Sequence, residues 1–67
     1  MARQVAVVLV QQSWAVKWAD SDEVIAFYRN QTEAEQIARA LARREGAEVS
    51  IHGRDGRVTD HRSYART

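Results

Sequence analysis

The residues with the clearest potential for chemistry lie in HGRDGR, residues 52–57. Arginine guanidinium groups bind oxyanions through paired N–H donors, and glycines expose backbone N–H groups to a bound anion. The segment could therefore be an anion clamp formed by His52, Arg54 and Arg57. The same residues also describe a hairpin turn, because Asp-Gly is typical of tight turns and Asp55 can neutralise an arginine. We take the turn as the first interpretation and the clamp as the second.

The geometry of such a clamp depends on the length of the loop. If Asp55-Gly56 is a two-residue turn, Arg54 faces Arg57, and these like charges destabilise the pair unless an anion lies between them. If the loop is Gly53–Gly56, His52 faces Arg57 instead. Both registers predict the same faces: Val49, Ile51 and Val58 point inward, and Ser50, His52, Arg57 and Thr59 point outward.

Other constellations give little support for catalysis or for a cofactor. His52, Asp60 and His61 do not match a zinc-ligand spacing, and adjacent strand residues point to opposite faces. No serine lies in a nucleophile-elbow motif, and the predicted helix begins with acidic residues, which disfavours a nucleotide phosphate there. We expect no catalytic, cofactor-binding or metal-binding residues, and no enzymatic activity.

Charge is distributed unevenly along the 67 residues. Residues 1–35 contain three basic and five acidic residues, a balance of −2, whereas residues 36–67 contain seven arginines and four acidic residues, a balance of +3. The second half could therefore approach an anion such as nucleic acid, although a GC-rich genome would also explain the arginines. The candidate nucleic-acid or anion-binding residues are His52, Arg54, Arg57, Arg62 and Lys17, with Arg39 and Arg43 as further candidates.

The elements that would position these residues are five strands and one helix. Apolar β-branched runs and alternating patterns predict strands over 4–11, 13–19, 24–29 and both arms of the hairpin. Trp14, Val16 and Trp18 share one face of the second strand, which favours core packing for both tryptophans, and Lys17 lies on the other face.

Residues 30–46 predict an amphipathic helix. Asn30 with Glu33 forms a possible capping box, Thr32 with Glu35 offers a second one, and Gly46 is suited to end the helix. The apolar stripe consists of Ala34, Ile37, Ala38, Leu41 and Ala42. Its small side chains imply that the helix approaches a sheet closely.

The order β-β-β-α-β-β predicts an α+β domain. A right-handed crossover gives one mixed sheet of order 3-2-1-4-5, with the single helix packed on one face. Half of the first strand would then lie on an open face, which usually contacts a partner. We therefore predict a homodimer that uses the open face or strand pairing. The candidate interface residues are Val5, Ala6, Val7, Val8, Leu9 and Val10.

Size and composition are consistent with one domain over residues 1–67. The chain contains no cysteine and no proline, so it can form no disulfide. The apolar N-terminal run is too short to span a bilayer and lacks a typical signal cleavage site. We expect a cytoplasmic protein that does not interact with membranes.

The segments WAVKW, QTEAEQIARALARREG and IHGRDGRV, together with Tyr64, resemble a family of small bacterial domains of unknown function. The resemblance covers nearly the whole chain and supports the fold, but it implies no activity. Residues 13–44 also show a weaker similarity to the sheet-binding DNA domains of tyrosine recombinases, which we treat as analogy.

Two functions remain open from the sequence. The first is a self-associating binding module that contacts nucleic acid through the arginine-rich hairpin. The second is a protein-interaction or inhibitor module, such as a phage or plasmid accessory protein, that uses its sheet face or edge. Neither requires a cofactor.

Overall fold

A computed structural model of the chain describes residues 3–64 and contains five strands and one helix. The elements are β1 (Gln4–Val10), β2 (Ser13–Trp18), β3 (Val24–Tyr28), α1 (Gln31–Glu45), β4 (Glu48–His52) and β5 (Val58–Ser63). They form one mixed sheet of order β3-β2-β1-β4-β5, in which β1 and β4 are parallel and the other neighbours are antiparallel. The predicted α+β architecture and strand order are confirmed.

The helix begins and ends where capping chemistry dictates. Asn30 has an extended backbone, and its side-chain oxygen accepts a hydrogen bond of 2.7 Å from the backbone N–H of Glu33. At the other end, Gly46 adopts the left-handed conformation, with φ of 64°, and its N–H donates to the carbonyl of Ala42. Asn30, rather than Thr32, is therefore the N-cap, because its oxygen reaches the third N–H of the first turn.

Helix α1 lies directly on the sheet because its contact stripe is made of alanine. Ala34, Ala38 and Ala42 are completely buried, and Leu41 packs beside them. Ile37 is 41% exposed, so it lies at the margin of the stripe rather than within it. The close approach of α1 to the sheet leaves no space for a larger side chain beneath the helix.

The sheet supplies the other half of the core from the face covered by α1. In register across three strands, Val5 pairs with Trp18 and Val49, and Val7 pairs with Val16 and Ile51. Except for Trp18, which is partly buried, these side chains are buried. The buried Trp14 and the packing of Trp18 against the core confirm that the tryptophans are core residues.

The two sides of β1 have different environments. Val5 and Val7 are fully buried beneath α1, and Leu9 packs against the same core, so these three residues do not belong to an exposed interface. Ala6, Val8 and Val10 point to the opposite face, which no element within residues 3–64 covers. The prediction that half of this strand faces an open surface is confirmed, and the candidate interface is reduced to that half.

The sequence predicts no interaction with membranes, and the structure bears on this prediction through its helix. Among residues 3–64, no helix combines the length and the apolar composition needed to cross a bilayer.

Candidate nucleic-acid interface

The tip of the β4–β5 hairpin is closed by its own hydrogen bonds. The N–H of Gly53 donates to the carbonyl of Arg57 at 2.8 Å, and the N–H of Gly56 donates to the carbonyl of Gly53 at 3.0 Å. Asp55 Oδ1 accepts a bond of 3.0 Å from the N–H of Arg57. Gly56 has φ of 86°, a conformation that favours glycine. Gly53, Asp55 and Gly56 therefore serve mainly to form the turn.

His52 also stabilises the tip. Its Nδ1 lies 3.0 Å from the carbonyl oxygen of Gly56, and its Nε2 lies 3.5 Å from the hydroxyl of Ser50. Because a carbonyl oxygen only accepts hydrogen bonds, this contact assigns the proton to Nδ1. The imidazole thus connects strand β4 to the turn, and its Nδ1 is already engaged in a hydrogen bond.

The convergent clamp does not form. The strands shift register between Ile51 and His52, so that Ile51 pairs with Asp60 and His52 pairs with Val58. The register predicted for a two-residue turn is observed from the pair Glu48–Ser63 to the pair Ile51–Asp60, and it fails only at the tip, where β5 contains one extra residue at a bulge. The register predicted for the Gly53–Gly56 loop is wrong. Arg54 lies in the turn, away from a position opposite Arg57. The bulge also leaves Val58 56% exposed, which corrects the prediction that it faces inward.

Arg57 has an internal partner. Its Nε lies 3.7 Å from the second carboxylate oxygen of Asp55, while both side chains remain largely exposed. This arrangement matches the interpretation in which Asp55 neutralises an arginine. Arg54 forms no salt bridge with any other residue in the range 3–64, so it is the freer of the two hairpin arginines.

The register of β5 over residues 60–63 places charged side chains on the side of the sheet that α1 covers. Arg62 pairs with Val49 and therefore points to the helix-covered side, as does Asp60 beside Ile51. Asp60 accepts a 2.6 Å hydrogen bond from Arg39 of the helix, and Glu35 lies 3.5 Å from the same guanidinium. Hydrogen bonding to Arg39 lowers the pKa of Asp60, and the same bond raises the pKa of Arg39.

Tyr64 lies at the end of this groove. Its backbone N–H donates to the carbonyl of Ala47 at 2.9 Å, and its ring packs against the core. Its hydroxyl oxygen is inaccessible to solvent and has no hydrogen-bond partner in the described part of the chain. The guanidinium of Arg43 lies 5.6 Å from the ring centre. Arg62, followed by Arg39 and Arg43, lowers the pKa of the phenol.

Sequence reasoning named Tyr64 as part of the family resemblance and did not group it with the candidate arginines Arg39, Arg43 and Arg62. Two signals were present: Arg39 and Arg43 are one helical turn apart, and Arg62 and Tyr64 are two residues apart on one strand. Both registers considered from the sequence place Arg62 on the same face as Ile51, because they differ by two residues. They do not specify which residues of the helix lie beside Arg62 and Tyr64.

Salt bridges leave a particular set of arginines unneutralised. The four acidic residues between positions 36 and 64 all have partners: Glu45 with Arg44, Asp55 with Arg57, Asp60 with Arg39, and Glu48 with His61, a contact that is a salt bridge only when the imidazole is protonated. The same stretch contains six arginines, and the three without a salt bridge to another residue of 3–64 are Arg43, Arg54 and Arg62. All three lie at the hairpin or along the groove between β5 and α1.

Lys17 lies apart from this group. It is on β2, in register with Ala6 on the open face, whereas the arginines belong to the opposite edge strand and the helix. His61 is also on the open face, where its Nε2 lies 3.1 Å from Glu48. Within residues 3–64, no three His, Asp or Glu side chains are grouped so that they could hold a metal ion.

The open face combines protruding apolar side chains with a flat centre. Phe27 is 57% exposed beside Ala15, and Ile25 and Val10 are also exposed. At the centre, the small residues Ala6, Ala15 and Ser50 are buried. The face therefore combines a projecting ring with a group of small side chains.

A family model matches residues 5–64, nearly all of the described chain. The chain belongs to the DUF2188 family. This family is described as an uncharacterized protein conserved in bacteria, which confirms the expected membership in a bacterial family of unknown function. Comparison of this DUF2188 domain with curated proteins and with solved structures found no match.

Proposed function

We propose that this DUF2188 domain is a small, non-enzymatic binding module of the bacterial cytoplasm that contacts nucleic-acid phosphates. The observation that carries the proposal is the set of three arginines, Arg43, Arg54 and Arg62, that remain without salt bridges in residues 3–64 while every acidic residue around them is paired. Guanidinium groups suit phosphate because their fork geometry matches two of its oxygens. Paired acids near them repel a phosphate less than free carboxylates would.

The proposal differs from a simple hairpin clamp. Arg54 at the turn and Arg62 on the strand are separated by most of β5, about 13 Å of extended chain between Val58 and Arg62. Such spacing suits several successive phosphates along a strand better than one anion. Arg57 contributes less, because Asp55 already holds it.

Fluorescence anisotropy with labelled single-stranded and duplex oligonucleotides tests this function. Three phosphate contacts predict that the logarithm of the binding constant falls with the logarithm of salt with a slope of about −2.7 for duplex and about −2.1 for single strands. Arg54→Gln should reduce the duplex slope by about 0.9. Arg29→Gln is the matched control, since Arg29 follows β3 at the far edge of the sheet. Absence of binding at low salt, or equal effects of both variants, would refute the proposal.

A second function is favoured by the open face. We propose that two copies associate through it, because the same surface carries the protruding Phe27 and the small side chains of Ala6, Ala15 and Ser50. A two-fold interface requires a patch that is complementary to itself, and a ring that packs on the partner's small side chains satisfies this condition twice. If the purified protein is monomeric but retains other proteins from a nuclease-treated lysate, the face serves a different protein partner instead.

A further inference from the structure

The hydroxyl group of Tyr64 has an unusual environment. Its oxygen is shielded from solvent and forms no hydrogen bond of ordinary geometry with the described residues, although the guanidinium of Arg62 is close enough to lower its pKa. Buried polar atoms are normally satisfied by hydrogen bonds. A hydroxyl left unpaired in this way has the capacity to bind a further group.

The neighbouring side chains identify the type of partner. Arg39, Arg43 and Arg62 are the polar groups that act on this phenol. Arginine offers only N–H donors and no acceptor. The guanidinium groups can therefore donate to the oxygen of Tyr64, but none of them can accept its proton. The missing group is an acceptor.

The charge of the groove indicates that this acceptor is negative. Three guanidinium groups and the two carboxylates of Asp60 and Glu35 leave a local charge of about +1, and both carboxylates lie beside Arg39, at 2.6 Å and 3.5 Å. Arg39 is thereby fixed in position, whereas Arg43 and Arg62 form no salt bridge within residues 3–64. Two unneutralised guanidiniums beside an unsatisfied hydroxyl donor match the recognition chemistry of an oxyanion.

We propose that Arg43, Arg62 and Tyr64 form a binding site for one phosphate group. Arg39, which its hydrogen bond to Asp60 holds in position, lies at one side of this site. Within the proposed function, this phosphate is a phosphodiester of the nucleic-acid backbone, so the assignment of its source rests on that function. The existence of the phosphate site itself does not rest on that function. Free inorganic phosphate shares the same chemistry and serves as the direct probe.

The direct experiment titrates inorganic phosphate into the full chain and follows the arginine Nε–H and Tyr64 amide signals by NMR, with sodium chloride at equal ionic strength as the reference. Arg62→Gln should weaken phosphate binding about tenfold or more, because a charge-assisted bond is lost. Tyr64→Phe keeps the ring that packs on the core and should weaken binding by about threefold to tenfold. Arg29→Gln should have no effect. Thermal unfolding of each variant shows whether it is folded.

A second readout separates a binding role from a purely structural one. The difference in phenolate absorbance between the wild type and Tyr64→Phe gives the pKa of Tyr64. Bound phosphate should raise this pKa relative to the chloride reference, because a nearby anion opposes formation of phenolate. A tyrosine that only packs against the core would show the same pKa in both salts, and that result would overturn the inference.

Oligonucleotide binding distinguishes the two proposals. If phosphate binds but oligonucleotides do not, the phosphate site stands and the nucleic-acid function fails. If oligonucleotides bind but neither oligonucleotide nor phosphate affinity changes in Arg62→Gln and Tyr64→Phe, nucleic-acid binding is supported and the site is refuted. Binding of both ligands, weakened in the same two variants, supports both. If neither ligand binds at low salt, both are refuted.

Discussion

Replacing Phe27 by serine is the sharpest test of association through the open face. The ring is 57% exposed in a single copy, so about 110 Å² of a side chain that offers roughly 200 Å² remains accessible. Two copies would then remove about 220 Å² from water at this position, which corresponds to an upper limit of about 5 kcal/mol at 25 cal/mol per Å².

The expected effect is smaller than that limit, because association also has costs and the ring need not be buried completely. Burial of half of the exposed area gives about 3 kcal/mol, which is a rise of about 100-fold in the dimer dissociation constant. Sedimentation velocity over a range from low to high micromolar protein measures this change directly.

Ile37→Ser provides the matched control for Phe27→Ser. Ile37 is 41% exposed, but it lies on α1, which covers the other side of the sheet. The control variant should therefore dimerise like the wild type. A wild-type protein that stays monomeric at high micromolar concentration would refute the reasoning, as would an equal loss of association in the two variants.

Three further predictions concern the frame that holds the arginines. Asn30→Ala should lower the free energy of unfolding by about 1 kcal/mol, measured by urea denaturation, because the bond from its side chain to the first turn is lost. Ala38→Leu should lower it by about 1–3 kcal/mol in the same assay, because α1 touches the sheet at this completely buried position. The bond from Arg39 holds the pKa of Asp60 below its usual value of 3.8, so the ionised carboxylate stabilises the fold above that value and this contribution disappears as the pH falls through the lowered pKa. Asp60→Asn should therefore reduce the dependence of stability on pH in the acid range, and an unchanged pH profile would show that the pair has no energetic role.

The helix and the strand order could be predicted from the sequence because each depends on local signals that agree. Asn30 and Gly46 mark the ends of α1, the alanine spacing defines its buried side, and the apolar run in β1 requires a central strand. These signals act over a few residues and do not depend on the exact pairing of distant strands. The sequence also predicted that half of β1 faces an open surface, but it did not specify that this half consists of Ala6, Val8 and Val10.

The candidate site was less predictable because the sequence left two registers of the hairpin open. The bulge after Ile51 pairs His52 with Val58 and carries Val58 out of the core. Asp60 and Arg62 lie on the helix-covered side, opposite Ile51 and Val49. In a hairpin, loop length and bulge position are coupled, and several combinations satisfy the same alternation of apolar and polar residues. The sequence thus predicts the presence of the arginines more readily than their neighbours.

The two proposed contact surfaces lie on opposite sides of the sheet, and this separation makes them independent. Arg62 points to the helix-covered side, whereas Phe27 points to the open face, so association through Phe27 leaves the arginines of both copies exposed and directed away from each other. A short oligonucleotide can reach one such set at a time. Phe27→Ser should therefore keep the affinity of each copy for a short oligonucleotide, but it should abolish the ability of the dimer to join two labelled oligonucleotides in an energy-transfer assay. Loss of short-oligonucleotide affinity in this variant would mean that one continuous surface performs both functions, contrary to the geometry of the sheet.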